Sequence, residues 1–164
     1  MEANRKVFII SYNAGGLFED HWGLWIPSAA NPDLGTVIHV KGDSSKGFEL
    51  EFKRNYNRTI TSAIYILYEI ADVDPKYIVD TKGDGKPFAD TIAHDKIEQQ
   101  ALLIPAPPKS LKPAGSGKAE IKNCQTWMYE LVNALIADEI FPPSALTKLN
   151  TVPKKSPRKP PPSQ

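Results

Sequence analysis

The chain has 164 residues, 41% of them apolar and 24% charged, which is the length and composition of one soluble globular domain. Those figures exclude disorder along the whole chain, a collagen-like repeat and a disulfide-stapled miniprotein. Twenty Lys and Arg against nineteen Asp and Glu leave a formal charge of +1, so no general field draws the protein to nucleic acid or acidic lipid.

Residues 6–12 form a β-rich apolar run, 21–26 a second and 36–40 a third, and Phe48, Leu50 and Phe52 alternating with Glu49, Glu51 and Lys53 make a fourth. Gly15-Gly16, Asn31-Pro32 with Gly35, and Gly42-Asp43 punctuate these runs, and such short spacing predicts an antiparallel meander. Residues 60–73 are rich in isoleucine and tyrosine and read as a further strand. The segment 80–85 has the outline of a calcium loop, but Lys82 stands at the third ligand position and Thr91 where a bidentate glutamate is needed, so it reads as a turn.

Residues 91–103 read as a helix, with His94 solvated within it and assigned no role. A long exposed loop follows, marked by Pro105, Pro107, Pro108, Pro113, Gly115 and Gly117. The Gly-Ser-Gly-Lys at 115–118 lacks the spacing and the preceding strand of a phosphate-binding loop. From Asn123 a strong helix begins, in which Trp127, Met128, Leu131, Val132, Leu135 and Ile136 recur at three- and four-residue steps until Pro142-Pro143 ends it. Asn123 is its expected N-cap, which puts Cys124 in the first turn and on the buried stripe. Trp22, Trp25 and Trp127 read as core residues.

Residues 151–164 carry five prolines and four basic side chains with no acid, and are expected to form a disordered basic tail able at most to dock weakly on a partner. Residues 1–150 then make a single domain, with sixteen basic side chains against nineteen acidic ones, a net of −3. The run 7–10 is too short for a signal-peptide core, and nowhere do about 18 apolar residues run together. The expected location is cytoplasmic, with no stable membrane anchor, and Asn57-Arg58-Thr59 then matches a glycosylation sequon by chance.

A lone cysteine can make neither an internal disulfide nor a multi-cysteine zinc site, so Cys124 is a packing residue or a reactive thiol. In a helix's first turn, unpaired N–H groups and the positive end of the dipole favour the thiolate and can receive an oxyanion. A nucleophile also needs a base and a group to orient that base. Two of the three histidines lie on neighbouring strands. If Pro27 faces Gly35 in a hairpin, His21, Gly23, Val37 and His39 share one sheet face, with His21 diagonal to His39 at roughly 7–8 Å. Gly23 would then let the cysteine helix approach that face.

The order HWGLWI, GTVIHV and NCQTWM resembles the HWA-type strand, the V-I-H strand and the N-C-E-H-F helix of the lecithin:retinol acyltransferase-like proteins, a circularly permuted branch of the NlpC-like papain fold. The resemblance covers residues 6–42 and 121–140. It implies an α+β, permuted papain-like fold with an antiparallel sheet packed on the cysteine helix, Cys124 as nucleophile, His21 as general base and His39 as the residue orienting His21. The chain is also similar to permuted papain-fold isopeptidases of the PPPDE type, which remove ubiquitin-like modifiers. It further resembles a group of fungal proteins sharing an HW, GT-x-x-HV and CQ-x-W pattern, a likeness that brings no activity.

The expected function is therefore a thiol hydrolase or acyltransferase working through an acyl-enzyme on an acyl-bearing small molecule, lipid or peptide, with no cofactor and no metal. An isopeptidase, or a non-catalytic binding module retaining the fold, are the alternatives.

Overall fold

The computed structural model describes residues 3–13, 18–108 and 122–155. In chain order they form β1 (Arg5–Tyr12), β2 (His21–Pro27), β3 (Leu34–Asp43), β4 (Gly47–Asn57), β5 (Tyr65–Val73), a 3-10 turn (Pro75–Tyr77), β6 (Phe88–Asp90), α1 (Lys96–Leu103), α2 (Cys124–Ala137) and α3 (Ser144–Asn150). The fold is α+β, with one six-stranded antiparallel sheet in the order β5-β1-β2-β3-β4-β6. Strands β1 to β4 are the expected meander. The fifth strand crosses back to the free edge of β1, and the short β6 adds to β4.

Three element boundaries differ from the sequence expectation for local reasons. Residues 60–64 precede β5, because the Asn57 carboxamide takes the N–H and hydroxyl of Thr59, and the Thr61 hydroxyl takes the N–H of Ala63, diverting this backbone into turns. The helix expected from residue 91 starts at Lys96, where the Asp95 carboxylate caps the Glu98 N–H, and residues 88–90 are strand instead. After the two prolines the chain resumes helix as α3, which periodicity did not reveal.

Alternation along the strands sends Trp22, Leu24, Ile26, Ile38, Val40 and Phe52 to one face, where they pack on Trp127, Met128, Leu131 and Leu135 of α2. The other face has its own small core of Ile10, Trp25 and Val37, rimmed by Phe8, Tyr12, Tyr56, Tyr65 and Leu67. Tyr12 of β1 and Tyr56 of β4 bring their hydroxyls within 3.0 Å although two strands lie between them. The two rings reach toward each other across this face, and the helices pack on the opposite one. Arg54, buried on β4, donates to Glu98 of α1 at 3.0 Å and to Asp90 of β6 at 3.0 Å, holding these elements to the sheet.

The body does not end at residue 150. Val152 is 4% exposed within the main core, and the Lys154 carbonyl accepts the Asp20 N–H at 2.8 Å and the Gln125 carboxamide at 2.9 Å. Residues 151–155 thus belong to the packed domain, corrected from the tail to which their composition assigned them. The rest of that tail, the 115–118 segment within the long loop and the Gly15-Gly16 turn lie outside the described residues. Among the described residues, no helix is long and apolar enough to cross a membrane.

Candidate active site

The site is built where β2 and β3 part. Their ladder runs from Pro27↔Gly35, the expected register, to Leu24↔Ile38, while β1 stays paired with β2 as far as Tyr12↔His21. Just beyond the ladder's other end the Ser28 N–H donates to the Leu34 carbonyl, so the even-numbered peptide groups of β2 face β3. The Asp20 carbonyl and the Trp22 N–H point the same way, to a place where β3 has already turned aside. The start of α2 and the C-terminal segment occupy that place instead. Gln125 Nε2 donates to the Asp20 carbonyl at 2.9 Å, and the Cys124 thiol lies 3.9 Å from the same oxygen.

His21 and His39 lean across this opening from the face opposite the helices. Nε2 of His21 is 2.8 Å from Nδ1 of His39, and Nε2 of His39 is 3.0 Å from Oε1 of Glu51, its direct partner in the β3–β4 ladder. The other oxygen of Glu51 accepts from Lys41 at 2.9 Å. The His21 ring stacks on Tyr12 with centroids 5.7 Å apart. Burial pushes the His21 imidazole down to about 4, helped by His39 and Lys53. Burial likewise lowers His39, outweighing its hydrogen bond to Glu51. Burial raises the Glu51 carboxyl, but its bonds to Lys41 and His39 prevail and hold it below the usual range. At neutral pH the row is a carboxylate followed by two neutral imidazoles.

Cys124 is the first residue of α2. Asn123 caps the helix as expected, its side-chain oxygen taking the N–H groups of Gln125 and Thr126, while the Thr126 hydroxyl answers the Asn123 N–H. The Cys124 N–H is not among those the cap uses. The thiol is 7% exposed, and burial raises its pKa above the ordinary value against the opposing pull of the Trp22, Gln125 and Cys124 N–H groups. This corrects the expectation of a lowered pKa: the first-turn N–H groups act as foreseen, but desolvation is the larger effect.

The structure brings His21 and His39 together and places Cys124 at the peptide groups on either side of His21. It corrects the expectation that the cysteine helix lies over Gly23. A Cβ on Gly23 would meet Val37 Cγ1 at 2.7 Å and Ile10 Cγ2 at 3.2 Å, so that space belongs to the smaller core, and α2 packs on the other face. Sulfur and imidazoles approach the gap from opposite faces. His94 precedes α1 rather than lying within a helix, and its N–H donates to Glu98. Glu51 and Gln125 were missed as site residues. The three-residue loop 44–46 between Asp43 and Gly47 is what sets Glu51 across from His39, whereas nothing local marks Gln125.

A family of unknown function, DUF6540, matches residues 7–142. The chain belongs to this family. The match takes in His21, His39, Glu51 and Cys124 together. No curated protein and no solved structure matches the chain.

Proposed function

We propose that this DUF6540 protein is a cysteine-dependent hydrolase or acyltransferase of permuted papain-like architecture. The observation carrying this reading is the use of the His21 ring: Nε2 is engaged by His39, which leaves Nδ1 for another partner, while the Cys124 thiol lies 3.9 Å from the carbonyl of Asp20, the residue before His21. A base with one nitrogen held by an orienting group and the other left for a thiol is the arrangement that nucleophilic catalysis requires, and here the thiol and the ring would meet across the gap between the two sheet faces.

The resting pair is a neutral thiol and a neutral imidazole, so His21 acts as a general base while substrate is bound. Its Nδ1 takes the thiol proton as sulfur attacks the carbonyl carbon of an ester, thioester or amide, and the carbonyl π pair moves to oxygen. The Cys124 N–H at the start of α2 supports that oxyanion. Collapse expels the leaving group, which takes the proton from His21, and leaves a thioester on Cys124. Water, or an acceptor alcohol or amine, then attacks the thioester, giving its proton to His21 and finally to the departing sulfur. The substrate's acyl group is carried by a small molecule, a lipid or a peptide, and the protein acts in the cytoplasm.

The test is mass spectrometry after incubation with an activated acyl thioester. A mass increase on Cys124, absent in His21→Gln and Cys124→Ser at matched stability, supports the reading. No adduct at any pH from 6 to 9, with the fold intact, sinks it. Cleavage of a ubiquitin-like fusion in preference to the thioester would assign the isopeptidase chemistry instead. A second reading, a non-catalytic binding module, is favoured by the burial of the thiol, and absence of the adduct would leave it standing.

A further inference from the structure

We propose that Glu51, braced by Lys41, is a positioning residue that fixes where the protons sit on both histidines; its bearing on catalysis rests on the thiol chemistry proposed above. An ionised carboxylate can only accept. Because Oε1 of Glu51 is 3.0 Å from His39 Nε2, that nitrogen carries the hydrogen and donates it. His39 is neutral, so its Nδ1 is a lone pair, and the contact of 2.8 Å from His21 requires His21 Nε2 to be the donor. His21 is neutral too, so its one remaining nitrogen, Nδ1, must be unprotonated. The polarity of the whole row is therefore set at its far end, two residues away from the base it prepares. Lys41, 2.9 Å from the second oxygen, holds the carboxylate in its ionised state and in this orientation.

The same row receives the charge that forms in the reaction. When Nδ1 takes the thiol proton, His21 becomes an imidazolium whose Nε2–H already points at a lone pair, and the Glu51 carboxylate is one imidazole away. No other proton has to move. Reversed polarity would present an N–H to the thiol and block proton transfer, which gives the chain's proton order a functional consequence beyond holding two rings in place.

Ring-nitrogen NMR on the full-length protein reads the tautomers without any turnover. Wild type is expected to show Nε2–H on both His21 and His39. Glu51→Leu should lose that uniform pattern and slow acyl-enzyme formation on the order of 10²-fold, mainly in kcat rather than KM. Glu51→Gln leaves one acceptor oxygen where the carboxylate has two; with Lys41 holding it, the carboxamide NH2 faces His39, so the tautomers should reverse and the rate should fall as well. A wild-type His39 protonated on Nδ1, or a Glu51→Leu protein with unchanged spectra, overturns the proposal. If Glu51→Leu does not fold, the wild-type and Glu51→Gln spectra still decide it. Expected tautomers together with no acyl-enzyme in the wild type would uphold the proton arrangement and overturn the thiol chemistry.

Discussion

Gln125 donates through one carboxamide nitrogen to the Asp20 carbonyl, at 2.9 Å, from the turn of α2 that also holds Cys124. The same nitrogen reaches the Lys154 carbonyl, also at 2.9 Å, so a single buried side chain joins a strand end, a helix start and the C-terminal segment. At the Asp20 carbonyl it supplies the hydrogen bond that β3 would have made had the ladder continued. Gln125→Leu should cost roughly 1–3 kcal/mol in urea denaturation, the penalty for leaving the buried Asp20 carbonyl without its carboxamide donor. Gln125→Glu should cost more at neutral pH, because it sets a carboxylate against two carbonyl oxygens. Equal stabilities for the two variants would show that Gln125 acts only by filling space.

The C-terminal segment contributes to the core rather than trailing from it. Deleting residues 151–164 removes Val152 from the apolar cluster and strips the Asp20 N–H of its acceptor. Together these are worth roughly 2–4 kcal/mol. The melting temperature should fall by roughly 5–10 °C. Val152→Asp should reproduce most of that fall, and a truncated protein melting with the wild type would place this segment outside the packed body.

Acid should destabilise the fold through His21 before most carboxylates respond. Unfolded, the imidazole takes its proton as pH drops through about 6.5. Folded, burial first and then His39 and Lys53 hold it unprotonated down to about 4. Between these values the unfolded chain binds more protons, so this stability is complete above about pH 6.5 and is lost as pH falls toward the folded value. The loss should reach about 2 kcal/mol. Melting curves of wild type and His21→Gln between pH 7 and pH 5 check it: the wild type should lose more, and parallel slopes would mean a solvated ring.

The thiol should be slow toward iodoacetamide at neutral pH despite its place at a helix start. Burial raises Cys124 above the ordinary thiol range, so the pH midpoint of labelling should lie above the free-cysteine value of about 8.5. In denaturant the midpoint should return to that value. A native midpoint below pH 7 would reveal a preformed thiolate–imidazolium pair and replace the general-base step by one in which the ion pair exists before substrate binds.

Several features were decided by neighbours along the chain and could be read there. Asn123 caps α2 because its side chain reaches N–H groups two and three residues on, and His21, Gly23 and Trp25 share a face because strand side chains alternate. The Pro27↔Gly35 register follows from the loop between them, and it carried His21 and His39 to one face. What spacing could not show is where the β2–β3 ladder stops, because that depends on what competes for its edge. The competitors, Cys124, Gln125 and Lys154, lie about a hundred residues or more away in sequence. Only the tertiary structure brings them to the strand end, where they open the gap between the two sheet faces. It also decides the charge states, since a helix start favours a thiolate while burial opposes it, and only the packed structure says which is larger. The fate of Val152 was hidden for a related reason: its prolines and lysines describe a solvated tail, yet one apolar side chain and one carbonyl at the right distance suffice to hold the segment against the core.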